Sequence, residues 1–345
     1  MTIRTPVLGA LFSVAALIAP VSAQAVTELT FSSLFPPNHF SWPVFRAWSD
    51  DIAAATNGEV RIVFTPQSVS PPPGVVDAVR NGVADAGFIF NGFLGQNYPG
   101  VMLTQMPFID LGDTAATSRV FWENYQEHFA PVERIRGVEV VSAFHLGPNI
   151  LCSTTDAPLS TLEELQGRRV WVLPGTISET MANMGLAITA SPAVQVQELV
   201  SRNTVDAIFG LTQETVVSFG AAPYVKSCVD MSPALQSASF LVFFNQRAWD
   251  RLSDEQRATV MEYSGSAFAE RMGAAAAEAD TVTRAQLEAS GVTYAPVDPG
   301  ILEAMHSASD AVLTQWAAAV QSAYGIDGRA LVEEVRAEIE AASAE

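Results

Sequence analysis

Short apolar runs alternate with helical segments in the first third of the chain. Glu28 to Ser33, Val60 to Pro66 and Ala84 to Phe90 have the length and composition of strands. Trp42 to Thr56 carries apolar residues at helical spacing, and Val75 to Asn81 forms a second helical segment after a proline-rich turn. An order of strand, helix, strand, helix, strand implies a mostly parallel sheet whose faces are covered. The predicted fold class is therefore α/β.

Ligands of such sheets bind at the carboxyl ends of the strands. Phe35 and His39 follow the first predicted strand, and Phe90 and Asn91 end the third. The sequence therefore predicts these residues at the rim of a ligand site. The two phenylalanines are equally compatible with a packing role.

The N-terminus predicts a secretory signal peptide over residues 1–25. Arg4 precedes an apolar run from Val7 to Ile18, and small residues follow, with cleavage expected after Ala23 or Ala25. The run is too short to span a bilayer, and no later run approaches the roughly 20 apolar residues of a membrane helix. We expect an exported protein with no membrane insertion after cleavage; a signal anchor is the alternative.

The remaining chain of roughly 320 residues is long enough to divide into two lobes. The Gly147-Pro148-Asn149 turn lies between two extended segments and looks like a crossing between lobes. We therefore predict lobe one over residues 26–148 and lobe two over 149–245. Residues 246–345 are predicted to pack on both lobes, with one or two long helices in the proline-free text from Glu255 to Ser290.

Charge excludes several kinds of partner. The net charge of -19 becomes -20 once Arg4, the one charged residue of the leader, is removed. Lys226 is the only lysine. Nucleic acid and anionic membranes require a basic patch, and none is visible in this sequence.

Cys152 and Cys228 are the only cysteines, and both lie in strand-like text. An exported protein could join them in a disulfide, with two buried thiols as the alternative. The four histidines, His39, His128, His145 and His306, show no metal-ligand spacing. We therefore expect no metal site. The sequence also lacks a phosphate-binding glycine loop, so we expect no cofactor.

If the protein were an enzyme, an exported hydrolase would be the main hypothesis, but the residues do not favour it. Ser153, His145 and Asp156 are close in sequence, but no Gly-x-Ser-x-Gly elbow is present. Glu163 and Glu164 are adjacent on a predicted helical turn, where successive side chains point apart. We therefore predict that the protein is not an enzyme.

A family resemblance rests on the order of several landmarks. They are Gly82-x-x-Asp85, Met106-Pro107-Phe108, the stretch Leu162 to Gly175, Val205-Asp206-Ala207, and Asn245-x-x-x-Trp249-x-x-Leu252. The chain resembles the DctP-type extracytoplasmic solute receptors of TRAP transporters over essentially its whole mature length. The resemblance implies a two-lobed periplasmic binding protein with a long helix bracing both lobes. It also implies closure over a small organic solute, with hinging at the crossing strands, and delivery to the membrane permease subunits. We expect a monomer.

The departures from the family bear on the solute. Where the family usually has an arginine that clamps the substrate carboxylate, this chain has Trp171. A second arginine of many members falls near Asn149 and is also absent. Arg169 shares the face of Trp171 but lies about 6.6 Å back along the strand, at roughly 3.3 Å per residue. Arg168 points to the other face, so we expect both arginines at a solvated strand start.

We predict a pocket rich in aromatic rings, which favours a small amine or quaternary ammonium compound such as ethanolamine or choline. An acidic protein would also attract a cation. The ligand-binding residues expected on these grounds comprise aromatic walls, acidic partners and hydroxyl contacts, together with the rim histidine: Trp171, Phe209, Phe35, Phe90, Phe244, Glu214, Glu179, Asn91, Asn149, Asn245 and His39.

Other readings remain open. The aromatic residues could only pack. The solute could be an organic acid, for example an aromatic one, held without the arginine clamp by backbone amides near Gly175 to Ser178. A neutral polyol or a lactone would suit the same residues. The receptor could also report to a membrane kinase and serve sensing in place of transport.

Overall fold

The computed structural model describes residues 26–344 except 110, 111, 158, 160 and 232. The predicted signal peptide, residues 1–25, lies outside the described residues. The described chain forms two sheets surrounded by helices.

The strands are, in chain order, β1 (Thr27–Ser32), β2 (Val60–Phe64), β3 (Ala86–Phe90), β4 (Val138–Pro148), β5 (Ile150–Ser153), β6 (Arg169–Val172), β7 (Ala187–Ala190), β8 (Ala207–Leu211), β9 (Ser227–Asp230), β10 (Ser237–Asn245) and β11 (Thr293–Pro296). The helices are α1 (Ser41–Ala55), α2 (Val75–Arg80), α3 (Thr114–Asn124), α4 (Leu162–Gln166), α5 (Thr176–Asn183), α6 (Val196–Ser201), α7 (Gln213–Ser218), α8 (Gln246–Asp250), α9 (Asp254–Tyr263), α10 (Gly265–Ala289), α11 (Pro299–Tyr324) and α12 (Gly328–Ser343).

Lobe one contains a five-stranded sheet in the order β2-β1-β3-β10-β4. The strand β1 pairs in parallel with β2 and β3, as the alternating strand and helix pattern predicts. The strand β10 pairs antiparallel with both β3 and β4. The sheet is therefore mixed, and β10 lies inside it between β3 and β4.

The position of β10 corrects the predicted lobe boundary. Residues 149–245 were expected to form lobe two, but β10 is an inner strand of the lobe-one sheet. All nine of its residues are buried. A continuous apolar run indicates a strand covered on both faces, but it carries no information about which sheet the strand joins.

Lobe two contains a six-stranded sheet in the order β11-β9-β5-β8-β6-β7. The strand β5 is antiparallel to both of its neighbours, whereas β8, β6 and β7 run in parallel. Cys152 on β5 and Cys228 on β9 are paired in register and form a disulfide with an S–S distance of 2.02 Å. Of the two alternatives that the sequence left open, the structure has the disulfide and not two buried thiols. Closing its loop stabilises the folded chain by about 4 kcal/mol.

The long helical segment after lobe two is two helices. α9 ends at Tyr263, and α10 begins at Gly265, whose φ of +50° breaks the helix between them. α10 spans 25 residues and packs on α3 and β4 of lobe one and on α7 of lobe two. Gly273 permits the close approach to α3, because a Cβ there would lie 2.4 Å from the Thr114 carbonyl oxygen. The predicted brace between the lobes is confirmed.

Among the described residues, no helix combines the length and apolar composition needed to cross a membrane.

Candidate ligand site between the lobes

A partly open apolar cavity of about 50 Å³ lies between the two sheets. Its lobe-one wall includes Leu34, Phe35, Phe90, Phe93, Ala238 and Phe240. Its lobe-two wall includes Leu173, Val194, Leu211, Thr212, Thr215 and Phe219. These residues lie where β3, β6 and β8 end and where β10 begins, so the strand edges predicted to hold a ligand face each other across the cavity.

The cavity wall carries almost no polar groups. Thr212 and Thr215 are its only hydroxyl residues among the described lining side chains, and none of these is charged. The Thr215 hydroxyl lies 3.2 Å from the Thr212 carbonyl oxygen, and the Thr212 hydroxyl oxygen accepts the Thr215 N–H. Because both hydroxyls already serve the start of α7, the wall favours an apolar group of the ligand.

Phe35 separates the cavity from a buried cluster of ionisable residues. Its ring stacks on the His39 imidazole with centroids 3.7 Å apart. His39 Nε2 lies 3.4 Å from Glu214 Oε2, and the Asp280 carboxylate accepts the Glu214 N–H at 2.8 Å. Burial lowers the pKa of His39 to about 3, so this imidazole is neutral and its contact with Glu214 is not an ion pair.

The Glu214 carboxylate connects the two lobes. It accepts the N–H of Phe40, at the start of α1 in lobe one, and the hydroxyl of Ser218 within α7. Burial raises the pKa of Glu214 to about 7, against the lowering effect of these two hydrogen bonds. Burial likewise raises the pKa of Asp280 to about 6. Glu214 is therefore partly protonated at neutral pH.

Four residues predicted from sequence lie in or directly behind the cavity. Phe35 and Phe90 line it. His39 and Glu214 form the layer behind Phe35 and do not line the cavity themselves.

The structure corrects the expected positions of Trp171 and Phe209, neither of which is among the lining residues. Trp171 is fully buried in lobe two, and its Nε1–H donates to the Ser191 hydroxyl at 2.8 Å. The cavity is reached two residues further along by Leu173, so Trp171 lies within the core of the lobe and not at the strand edge. Phe209 is buried in the same way, and Leu211 reaches the wall from β8.

The arginines close to Trp171 are engaged elsewhere. Arg169 forms an ion pair with Asp206 at 3.0 Å. Arg168 donates to the Thr155 hydroxyl and to the Ala157 carbonyl oxygen. Neither lines the cavity, as the sequence predicted.

Phe244 and Asn245 lie at the far end of β10, away from the cavity. Their expected positions are corrected because β10 runs antiparallel to β3, so its start and not its carboxyl end reaches the cavity. Phe244 contacts Trp48 and Trp249 in the core. Asn245 instead caps α8, accepting the Ala248 N–H.

The remaining predicted residues lie in other places. Glu179 and the segment 175–178 border a separate groove together with α11. Burial raises the pKa of Glu179. Asn91 is fully buried and donates to the Val101 carbonyl oxygen and to Ser239 Oγ. Asn149 is buried in the crossing between the lobes. The described residues hold no cluster of His, Cys, Asp and Glu suited to a metal ion.

Several wall residues were not anticipated from the sequence, namely Phe240, Leu211, Thr212, Val194 and Phe219. The strand-edge rule could have found Leu211, which ends the strand that contains Phe209, and Thr212, which follows it. Phe240 required knowledge that β10 is antiparallel. Phe219 and Val194 lie outside strands and carried no distinguishing signal.

Two facing sheets, strand edges that meet at a cavity between them, and a helix that packs on both lobes define a two-lobed solute-binding protein. The sequence matches the profile of the bacterial extracellular solute-binding proteins, family 7, over residues 31–319, and the chain belongs to this family.

Similar proteins agree with this assignment. A Comamonas testosteroni protein named outer membrane transporter protein TsaT is 29% identical over 329 residues, covering 94% of this chain and 96% of that protein. A TRAP periplasmic solute-binding protein of Bordetella bronchiseptica, solved with (R)- and (S)-mandelate, is 28% identical with a TM-score of 0.85, covering 91% of this chain and 98% of that chain. A Rhodoferax ferrireducens T118 TRAP solute-binding protein, solved with benzoate, shares the fold at 21% identity and a TM-score of 0.82, covering 92% and 98%.

This chain is therefore a periplasmic solute receptor of the TRAP type and not an enzyme. The predicted family, fold class and location are confirmed.

Proposed function

We propose that this receptor binds a small aromatic carboxylic acid, with the ring in the cavity between the lobes, and delivers it to TRAP membrane permease subunits. The observation that carries the proposal is the apolar, partly aromatic cavity at the facing strand edges. Phe35, Phe90 and Phe240 supply ring surfaces suited to another ring. The Bordetella bronchiseptica relative, which was solved with mandelate, supports a solute of this class.

The size of the cavity is consistent with a receptor that must open to load. A protein cavity that binds benzene has a volume of about 150 Å³. The cavity of about 50 Å³ seen here is smaller, so a ring requires the two walls to move apart. We propose that the hinge is the crossing between β4 and β5, with closure driven by tighter binding to the closed form.

The amine that the sequence favoured is the weaker candidate. A bound cation would need an accessible carboxylate, but Glu214 does not line the cavity and its oxygens already accept two hydrogen bonds. Partial protonation further weakens its pull on a cation. Trp171, the ring expected to face the cation, lies in the core. An acid held without an arginine clamp suits these contacts better.

A thermal-shift series tests the charge and the ring separately. Benzoate and (R)-mandelate are compared with benzylamine and benzyl alcohol, which keep the ring, and with malate, choline and ethanolamine, which lack it. We expect the aromatic acids alone to raise the melting temperature, because a solute at 100 times its Kd stabilises the folded state by about 2.7 kcal/mol. A shift with choline, ethanolamine or benzylamine and none with the acids would reject the proposal.

Delivery to a permease is proposed from family membership. Deleting the gene should abolish cellular uptake of the solute identified in the thermal-shift series, and restoring it should recover uptake. If uptake persists while a transcriptional response to the solute is lost, the receptor serves a membrane kinase instead.

A further inference from the structure

Two buried amides in the crossing between the lobes have polar atoms without hydrogen-bond partners in the part of the chain that the structure describes, namely both amide atoms of Asn149 and only Nε2 of Gln236, whose Oε1 accepts the Thr176 hydroxyl. Asn149 is 1% exposed, and neither Nδ2 nor Oδ1 has a partner among the described residues. Gln236 is equally buried, and its Nε2 also lacks a partner in the described chain. Leaving a buried polar group unpaired costs about 1 to 3 kcal/mol, so such groups usually have a binding partner.

Both amides lie next to residues of the cavity wall. The Asn149 N–H donates to the Gln236 carbonyl oxygen at 3.1 Å, which holds the two segments together. Ala238, two residues after Gln236, belongs to the wall. Ile150, the residue after Asn149, pairs with Leu211, another wall residue. The two residues therefore lie in the crossing between the lobes, next along the backbone to the apolar wall, although neither side chain lines the cavity in this structure.

Asn245 shows what a structural asparagine looks like in this protein. It is 4% exposed, so its burial is close to that of Asn149. Its Nδ2 donates to the Val79 and Arg80 carbonyl oxygens, and its Oδ1 accepts the Ala248 N–H. The same side chain is thus fully bonded at one buried position and unbonded at the other, so burial alone does not explain Asn149.

We infer that Asn149 and Gln236 bind the polar group of the solute. Their N–H groups would donate to a carboxylate, and Asn149 Oδ1 would accept from a hydroxyl or from a protonated carboxyl. This inference rests on the proposed function, because it assumes that the apolar part of the solute occupies the cavity. Neutral amides then perform recognition by hydrogen bonding, without a positively charged side chain.

Asn149→Leu tests the inference, with Asn245→Leu as the matched control. Leucine branches at Cγ like asparagine and needs no hydrogen-bond partner, but it is larger, so Asn149→Leu should lower the melting temperature of the solute-free receptor less than Asn245→Leu does. It should weaken calorimetric binding of (R)-mandelate by about tenfold to hundredfold. Asn245→Leu should lower the melting temperature, because it removes three hydrogen bonds to backbone groups.

Asn149→Asp tests whether the group of the solute that contacts residue 149 is negatively charged. At a pH high enough to ionise this buried aspartate, its carboxylate should weaken mandelate binding more than Asn149→Leu does, because it adds repulsion to the lost donor. If Asp binds mandelate as well as Asn, the side chain does not contact the carboxylate and the inference is overturned.

Two further results would overturn the inference whichever solute binds. One is unchanged affinity in Asn149→Leu. The other is a fall in its solute-free melting temperature that matches the fall in Asn245→Leu, since the amide would then have partners within the folded protein. If the wild type binds an amine and no acid, the proposed function is wrong. The inference about Asn149 then holds only if Asn149→Leu weakens binding of that amine.

Discussion

Glu214 lies between the two lobes, and its protonation makes the stability of the protein depend on pH. Its carboxylate accepts a lobe-one N–H from Phe40 and faces the neutral His39, and its backbone N–H donates to Asp280. Burial raises its pKa to about 7, so the folded state holds the proton more tightly than the unfolded chain. Its contribution to stability is therefore present at acidic pH and is lost as the pH rises toward 7.

Glu214→Gln should remove this pH dependence. Between about pH 5 and pH 8, the free energy of unfolding of the wild type should fall relative to the variant by about 1 to 3 kcal/mol. Chemical denaturation of both proteins at several pH values measures this difference. The comparison is needed because His39, whose pKa is lowered to about 3, acts in the opposite sense and loses stability as the pH falls below 6.5. Parallel pH profiles for the two proteins would contradict the prediction.

Residue positions were predictable where they followed from strand direction alone. Phe35 and Phe90 were found because β1 and β3 are parallel and their carboxyl ends share an edge. Trp171 was predicted to face the cavity because the family pattern identifies its position on the strand. The length and packing of the side chain, which the pattern does not give, decide whether that side chain reaches the cavity. An arginine at this position could extend along the strand, but the tryptophan ring packs inward and bonds Ser191.

At the scale of elements, the short turn after β3 contacts the turn before α5. Gly92 in the first turn approaches Pro174 and Gly175 of lobe two closely. A Cβ on Gly92 would lie 2.6 Å from the Pro174 carbonyl oxygen and 2.3 Å from a ring carbon of Phe90. The ring could turn away, but the backbone oxygen could retreat only if the lobes separated.

Gly92→Ala should therefore favour an open arrangement of the lobes. We expect binding of aromatic acids to weaken by about tenfold or more, since closure contributes to affinity. Small-angle scattering with saturating solute should give a larger radius of gyration than for the wild type. Gly167→Ala is the control, because its Cβ would meet neighbouring atoms only at 3.5 Å or beyond. Wild-type affinity and scattering in Gly92→Ala would refute this role of the contact.

The helices and strands themselves were predicted more reliably than the strands with which each strand pairs. The segment over α9 and α10 was recognisable from its helix-forming composition, and the disulfide from two cysteines in strand-like text. The sheet that β10 joins was not predictable, because its nine buried residues suit an inner strand of either lobe. The error over Phe244 and Asn245 followed from the same ambiguity, since strand direction decides which end reaches the cavity.

At the scale of the whole molecule, the receptor is two mixed sheets bridged by the long helix α10, with an apolar cavity between them. The sequence predicted this architecture through the order of its landmarks. It did not predict how apolar the cavity is, because that property depends on loop residues such as Phe219 and Val194 meeting across the cleft. The cavity and not the overall negative charge is the better guide to the solute.

Calorimetric titration of (R)-mandelate and benzoate into the wild type and Ala238→Leu tests the site most directly. Ala238 is a buried wall residue, and a leucine there would occupy the cavity. We expect one site per chain in the wild type and a loss of affinity of about a hundredfold in the variant, equivalent to about 2.7 kcal/mol. Ala319→Leu, in the separate groove beside Glu179, should bind like the wild type. Equal binding by wild type and Ala238→Leu would show that the solute binds outside this cavity.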